Sequence, residues 1–542
     1  MTINEAFTTP LRKTTAKVLH ELRAPEAKEH AIVTLPIENI ISKGEQILND
    51  ITDMSHRMST FEPEHWRLDG SFVLPVLPEQ SIYEVGFWSK YQSNTNGMFV
   101  APIEFLFEFA VSQDLPAVGI SFDRPTNNFA QDITVTFIGM NGTVLRTETT
   151  STNNSTYYET SGGAENVHFV RICINRTNRP QRFLRVAEVN FGVLLEFNGE
   201  DIVSIKQISE GDPTGETFPY NELRLTILNK RRFRLKDPNS LAQYFQERQP
   251  FEYSHGVVVS GIGEIYEGIE WVYCGIYYLS NWSITDEVVN FTARSRASIW
   301  GEQSFEGRAL ERQTIGHLIQ NVVDGLGLVA NIPQFLMESP LVPGWLDALN
   351  YRGAISMLAQ LSCCLAVENR LKTIVFRDII EEDVATKDIT YDMAFMDTPP
   401  KITIDDYYNG ITLVEYTVTQ AGDDPRFERV EVFHNAPWRD PREADFPYRV
   451  NLPMMIRGEG FEEIRDWFLA RKFELLRKRM RVVTNWRQNP ILEVAERTNT
   501  QIDNSGELEN MLSYSHTLNF DNGVLRGTTK LIGIIPDAPQ HI

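Results

Sequence analysis

The chain has 542 residues, of which 42% are apolar and 23% charged, and its formal net charge at pH 7 is -22. This length exceeds what one hydrophobic core accommodates, so we expect about three or four domains. The composition is typical of folded globular protein and excludes long disorder. The acidic balance makes nucleic acid a poor partner, because phosphate recognition needs a positive field.

The spacing of the cysteines and the lengths of the apolar runs exclude further classes of protein. Cys173, Cys274 and the adjacent Cys363 and Cys364 show no CxxC spacing, so we expect neither a zinc site nor a disulfide framework. Cys363 and Cys364 fall in an apolar helical run, where buried thiols are typical. Residues 1–30 contain no apolar signal segment, and no apolar run reaches membrane-spanning length. We therefore expect no secretory signal and no membrane span.

Strand-like segments dominate the first 310 residues. The alternating run AIVTLPIENIIS precedes residue 58, and residues 59–192 contain many short strands, with Asn141-Gly142 as a hairpin signal. Many short strands at this spacing, with no helical segments between them, predict a jelly-roll-like β-sandwich. Residues 193–310 alternate apolar and polar positions, which predicts sheets with one solvent face. The segment SLAQYFQERQ between them predicts one or two helical turns.

Helical periodicity first appears in residues 311–400. Thr314 caps a predicted helix, and a second helix is predicted in YRGAISMLAQLSCCLA, followed by a turn at Asn369-Arg370 between two short strands. The face of the first helix comprises Ile315, Leu318, Ile319, Val322 and Val323. This region is therefore predicted to be α/β.

Residues 401–542 return to strands. Asn409-Gly410 and Asp521-Asn522-Gly523 are predicted turns. A helix is predicted over 461–481, because its acidic start and basic end complement the helix dipole. The basic residues are Arg477, Lys478, Arg479 and Arg481.

The residues carry no catalytic constellation. Glu264, Glu267 and Glu270 are candidates for glycoside hydrolysis, but on alternating strands glutamates typically face solvent. The pairs Asp405-Asp406 and Asp423-Asp424 lack metal-loop spacing, and nucleophile, zinc and P-loop motifs do not occur. We predict no catalytic residues, no cofactor and no metal.

Aromatic residues crowd the start of the predicted sandwich and leave two interpretations open. Stacked rings beside acids and amides make sugar sites, which nominates Trp66, Tyr83, Trp88 and Tyr91 for carbohydrate binding. Their partly alternating spacing favours the other interpretation, in which they fill the sandwich core or its seam.

Several segments, taken in order, resemble tail proteins of bacteriophages and phage-like particles from Gram-positive hosts. They are FEPEHWRLDGSF (61–72), HFVRICINRTNRPQRFLRVAEVNFG (168–192), DIVSIKQISEGDPTGETFPYNELRLTILN (201–229), GIYYLSNWSITDEVVNFTAR (275–294), NPILEVAE (489–496) and HTLNFDNGVLRGTTKLIG (516–533). The family motif NPxLxxGD reads NPILEVAE here, without its glycine, so we expect a different turn. No lytic-domain motif of some tail-tip proteins occurs.

The resemblance implies a mainly β fold with an α/β portion: two hub-type β-barrels, an intervening α/β domain and an inserted jelly-roll-like β-sandwich. Barrel one takes residues 1–58 and 193–310, and the sandwich, like a carbohydrate-binding module, takes 59–192. The α/β domain takes 311–400, and barrel two takes 401–542 with 461–481 as a crossover helix.

The resemblance also implies a function: a non-enzymatic hub or baseplate component that joins the tail tube to the tip and to host-recognition proteins. We expect a homo-oligomeric ring, commonly a trimer, that contacts tail tube, tape-measure, baseplate and receptor-binding proteins in the virion after assembly in the host cytoplasm. Two alternatives stay open: a wall-carbohydrate-binding adhesion protein, and a β-rich polysaccharide hydrolase.

Overall fold

The computed structural model describes residues 86–534 except 125, 231–232, 235–239, 261–266, 307, 347–348, 382–383, 386, 396, 421–425, 488–489, 504–505 and 522. Before residue 86 it describes 6–7, 12–23, 31–34, 42, 47–48, 60 and 62–63. Strands dominate these residues, so the predicted mainly β class is confirmed. Within the described part, no helix is long and apolar enough to cross a membrane.

In chain order the strands are β1 (Thr14–Arg23), β2 (Ala31–Thr34), β3 (Phe87–Gln92), β4 (Met98–Leu115), β5 (Gly119–Phe122), β6 (Ala130–Ile138), β7 (Val144–Thr150), β8 (Tyr157–Glu159), β9 (Ala164–Thr177), β10 (Phe183–Asn190), β11 (Gly192–Phe197), β12 (Ile202–Glu210), β13 (Glu222–Leu228), β14 (Pro250–Ser260), β15 (Glu267–Ile284), β16 (Val288–Arg294), β17 (Ser304–Phe305), β18 (Arg308–Gln313), β19 (Val329–Asn331), β20 (Val342–Leu346), β21 (Leu349–Asn350), β22 (Cys364–Glu368), β23 (Thr373–Asp378), β24 (Lys387–Ile389), β25 (Lys401–Ile404), β26 (Gly410–Gln420), β27 (Arg426–Asn435), β28 (Pro447–Ile456), β29 (Met480–Trp486), β30 (Arg497–Asp503), β31 (Gly506–Asp521) and β32 (Val524–Gly533). The α-helices are α1 (Arg296–Trp300), α2 (Ile315–Asp324), α3 (Gln334–Met337), α4 (Tyr351–Ser362) and α5 (Phe461–Arg477), and short 3-10 helices span Leu241–Tyr244 and Tyr391–Met393.

The chain divides into two compact units. The first comprises Met1–Val18, Phe197–Arg232 and Pro250–Ile542, and the second comprises Leu19–Glu196 and Phe233–Gln249. We call the first the long-sheet unit and the second the two-sheet unit. The chain therefore enters the two-sheet unit twice.

The two-sheet unit contains a five-stranded sheet, β2-β4-β9-β6-β7, and a four-stranded sheet, β3-β10-β5-β8. Because side chains alternate between the two faces of β4, Phe105, Phe107 and Phe109 all lie on its buried face. They contribute to a phenylalanine-rich core that both sheets share. Phe87 of β3 packs edge-to-face on Phe105, with ring centroids 4.8 Å apart. Strand β2, assigned from the sequence to barrel one, pairs instead with β4 of this unit. The jelly-roll topology stays a prediction.

The long-sheet unit is organised by one extended sheet in the order β14-β15-β16-β13-β12-β31-β32-β29-β25, with β30 joined to β31 and β24 to β30. Strands assigned to both predicted barrels share this sheet, because β12 pairs antiparallel with β31 from Ser204↔Asp521 to Glu210↔Ser515. The division into two barrels stays a prediction.

The α/β portion is built from α2, α4 and the three-stranded sheet β19-β23-β22. Thr314 caps α2 as predicted, its hydroxyl accepting from the His317 amide (3.4 Å). The predicted helical placement of Cys363 and Cys364 is wrong. Cys363 ends α4 in the left-handed conformation (φ 54°) and Cys364 begins β22, although both are buried.

The predicted helix over 461–481 ends earlier, at Arg477. Met480–Trp486 form β29, in which alternate residues are buried and which pairs with β32. Cross-strand pairing of Val482 and its neighbours thus overrides helix propensity. Arg481 lies in the strand, where it forms an ion pair with Asp405 (2.6 Å).

Turn predictions had mixed outcomes. The hairpins around Gly142 and Gly523 are confirmed, with φ of 76° and 82°. The turn at Asn409-Gly410 does not form a hairpin, because β25 and β26 lie in different sheets. Buried Asn409 instead donates to the Ala444 carbonyl and accepts from the Phe446 amide, both at 2.7 Å, and so anchors a loop.

Candidate functional site

Within the residues that the structure describes, the acidic residues singled out from the sequence do not form a catalytic pair. Glu270 is exposed on β15 opposite Val257. Glu264 and the Glu267 side chain lie outside the described residues, as do Asp423 and Asp424. Among the residues that the structure describes, no cluster of three or more histidine, cysteine or acidic side chains is placed to hold a metal ion.

Burial holds two cysteines and two histidines of the long-sheet unit in their neutral forms near neutral pH. Burial raises the pKa of the Cys274 and Cys364 thiols to about 12 in each case. Burial also lowers the pKa of His255 and of His516 to about 4. These groups therefore act as packing and hydrogen-bonding residues, since a thiol nucleophile must first ionise.

The four candidate carbohydrate-binding residues are not gathered on one described surface. Trp88 and Tyr91 lie on β3, where an odd spacing points side chains to opposite faces. Trp88 is 2% exposed, whereas Tyr91 is 62% exposed with Lys90 Nζ 5.4 Å from its ring centroid. Trp66 and Tyr83 lie outside the described residues.

Trp88 is covered by a buried ionic cluster of the two-sheet unit. The Arg185 guanidinium lies 4.1 Å from the Trp88 ring centroid. It forms ion pairs with Glu62 and with Asp123, the latter at 3.0 Å, and these three charged side chains are at most 1% exposed. Buried charges are tolerated when paired in this way. The cluster joins β10 to the segment at residue 62 and to the end of β5.

Arg370 forms a second junction, inside the long-sheet unit. It lies in the turn between β22 and β23, which Asn369 shapes by accepting from the Leu371 and Thr373 amides (3.0 Å each). Arg370 Nη1 donates to the Tyr273 carbonyl of β15 (2.9 Å). Nη2 donates to the Pro490 carbonyl (2.7 Å). One guanidinium thereby links a hairpin, a strand and the segment 490–494.

The segment 490–496 carries the altered family motif. Ala495 has φ 71°, the left-handed conformation that glycine adopts without strain. Glu496 accepts from the Glu493 amide (2.9 Å) and pairs with Lys387 (2.8 Å). Ala495 therefore occupies a glycine-type conformation, and the expectation that this turn differs from the family's stays a prediction.

The Arg370 junction borders a small, partly open pocket of about 50 Å³ that both polar and apolar residues line. Its lining comes from β12, β15, the β22–β23 turn, the segment 490–494 and β31. Gln207 lines it from β12, two residues after Ile205 on the buried face. A polar residue on the buried face of a strand is the sequence signal for this position.

No protein-family model and no curated protein matches the sequence. Among solved structures, a 43 kDa tail protein of prophage MuSo2 from Shewanella oneidensis matches at TM-score 0.40 and 12% identity, covering 65% of this chain and 97% of that one. A prophage tail protein from Listeria monocytogenes matches at TM-score 0.38 and 8% identity, covering 62% and 91%. The phage P2 baseplate matches at TM-score 0.25 and 8% identity, covering 67% and 94%. These structural neighbours are phage tail and baseplate proteins.

Proposed function

We propose that the chain is a structural component of a phage-type tail, forming the hub or baseplate that joins the tail tube to the tip and host-recognition proteins. One observation carries the proposal. Three of the segments that resemble tail proteins, 201–229, 275–294 and 516–533, supply neighbouring strands of one sheet: β12 and β13, β15 and β16, and β31 and β32. Segments that are far apart in the sequence thus lie side by side in this sheet.

A tail hub acts through interfaces, and the long sheet offers an edge for one. Strand β25 is the end strand and, within the described residues, pairs only with β29. Ile402 is 44% exposed and Ile404 is 58% exposed. An unpaired edge with apolar side chains favours strand addition. We assign this edge to a second copy of the chain, so that the copies form a closed ring with heterologous interfaces. The family resemblance implies that the ring is a trimer.

The proposed partners are tail tube, tape-measure, baseplate and receptor-binding proteins, and the proposed location is the virion, after assembly in the host cytoplasm. This role is tested by deleting the gene in the source organism. Particle production is then induced and the particles are imaged. We expect tails to be missing or incomplete, to be restored by the intact gene, and to contain the chain by mass spectrometry. Complete, chain-free tails after deletion would refute the proposal.

Exposed Tyr91 favours one second candidate, a wall-carbohydrate-binding role for the two-sheet unit. Tyrosine rings at a surface stack on sugar faces. Binding of the intact chain to purified cell wall, lost in Tyr91→Ala and kept in Val100→Ala, would support it. Val100 is the matched control because it is fully exposed on β4 of the same unit. Equal wall binding by both variants would exclude Tyr91 as the contact.

A further inference from the structure

A row of basic residues crosses the solvent face of the long sheet. Along β13 the residues alternate between buried and solvent-facing positions, and the Arg224 side chain is 59% exposed. Lys206 is exposed on β12 and lies directly opposite Arg224. On its other side Lys206 is opposite Asn519 of β31, which is opposite the exposed Arg526 of β32. We call Arg224, Lys206, Asn519 and Arg526 the basic row.

The basic row places like charges side by side. Directly opposite residues on antiparallel strands have Cβ atoms about 4.5–5.5 Å apart, and like charges there destabilise a sheet. Arg224 pairs with Glu222 on its own strand. Within the described part of the chain, neither Lys206 nor Arg526 forms an ion pair. Arg526 instead lies over the Phe395 ring, 5.2 Å from its centroid.

Three acidic residues lie on the same strands, but two of them are already engaged. Glu222 is paired within β13, and Glu210 of β12 pairs with Lys530 (3.5 Å). Asp521 ends β31, two residues beyond the basic row. The whole chain has 73 acidic and 51 basic residues, so a row with three cations runs against its overall charge.

We propose that the basic row binds an acidic peptide segment of a partner protein. Neighbouring strands lie about 4.7–4.9 Å apart, so the row extends over roughly 14 Å, the length of about four extended residues. Carboxylates of such a segment pair with Lys206 and Arg526, and the Asn519 amide donates to its backbone. The inference rests on charge complementarity and does not depend on the tail role.

A short acidic peptide fits the basic row better than nucleic acid does. The net charge of -22 repels the dense phosphate charge of a nucleic acid. A peptide with a few carboxylates meets mainly the local charge, because distant charges are screened by salt.

Binding of rhodamine-labelled hexaglutamate to the intact chain, followed by fluorescence anisotropy at low ionic strength, tests the proposal. We expect saturable binding that weakens as salt is added, because exposed charges are screened. The absence of binding at low salt would overturn the proposal. Tighter binding of a labelled oligothymidylate of equal charge would overturn it as well, because the partner would then be a nucleic acid.

Lys206→Gln with Arg224→Gln removes two charges of the basic row at exposed positions. We expect the affinity for hexaglutamate to fall about fivefold, since exposed ion pairs are individually weak. Arg442→Gln with Arg449→Gln is the matched control, because it changes the net charge equally at side chains that are 89% and 68% exposed outside the row. Equal losses in both variants would show that net charge alone attracts the peptide, and would refute the row as the site.

Lysine acetylation with and without hexaglutamate locates the site in the wild-type chain, where the folding of a variant plays no part. We expect saturating peptide to reduce the modification of Lys206, measured by mass spectrometry, and to leave that of Lys90 in the two-sheet unit unchanged. Modification of Lys206 that stays the same at saturation would contradict the assigned site.

Discussion

Arg370 and Glu493 form an ion pair that ties the β22–β23 turn to the segment 490–494. Both side chains are largely buried, with 16% and 28% exposure. The pair adds to the two backbone carbonyls that Arg370 already holds, so one side chain secures three parts of the long-sheet unit.

Replacing this guanidinium should destabilise the unit. Arg370→Met leaves two carbonyls and a carboxylate without their donor, and we expect the free energy of unfolding to fall by about 2–4 kcal/mol. Urea denaturation measures it. Arg442→Met is the control, because Arg442 is 89% exposed in its pair with Asp440 and should show no measurable loss. Equal losses in both variants would contradict the assigned role.

Ala495→Gly should stabilise the chain. Ala495 adopts φ 71°, which costs an L-residue about 1–2 kcal/mol, while glycine loses about 0.5–1 kcal/mol through unfolded-state entropy. The net gain expected in urea denaturation is up to about 1 kcal/mol. Ala470→Gly, at an exposed position inside α5, should instead lose about 1 kcal/mol. A loss in Ala495→Gly would show that the turn is not strained.

Acid should weaken the long-sheet unit through its buried histidines. The folded-state pKa of His255 and of His516 lies at about 4, below the ordinary value of 6.5. The unfolded chain therefore binds protons first, and stability is lost as pH falls from 6.5 toward 4. Each histidine contributes a slope of up to about 1.4 kcal/mol per pH unit.

A variant isolates one of these histidines. In His516→Gln the difference in unfolding free energy from wild type should shrink steadily between pH 6.5 and 4. Identical pH profiles for wild type and His516→Gln would show that His516 does not titrate in this window.

Removing Arg185 should damage the two-sheet unit. Arg185→Met removes the guanidinium that pairs with the buried Glu62 and Asp123 carboxylates, and we expect the free energy of unfolding to fall by about 3–5 kcal/mol. Hydrogen exchange of β10 and β5 peptides reports it locally. The triple variant with Glu62→Gln and Asp123→Asn should recover part of the protection, and the absence of recovery would argue against a charge effect.

The β25 edge should control self-association. Ile402→Lys with Ile404→Lys places charges on the proposed interface, so we expect a shift from oligomer toward monomer in a mass measurement at fixed concentration. Val524→Lys, at a position 52% exposed beside the Gly523 turn, is the control and should keep the oligomer. A wild-type chain that is itself monomeric would remove the ring from the proposal.

The sequence predicted those elements that depend on local signals. The cap at Thr314 and the hairpin at Asn141-Gly142 follow from capping and turn signals. Contacts between distant residues were not predictable. Arg370 meets partners in β15 and in the segment 490–494, and the core position of Trp88 depends on Arg185, which is remote in sequence. No local pattern encodes such pairings, so the site was missed while the fold class was found.

The pairing of β12 with β31 also sets an order of events during synthesis. Ser204 and its partner Asp521 are more than 300 residues apart, so the ribosome must synthesise all the residues between them before these strands meet. Until then β12 presents an unpaired edge beside β13, a state prone to aggregation. Closing so long a loop is slow. We expect truncation before β31 to yield insoluble protein, because pairing of the β31–β32 hairpin completes the long sheet.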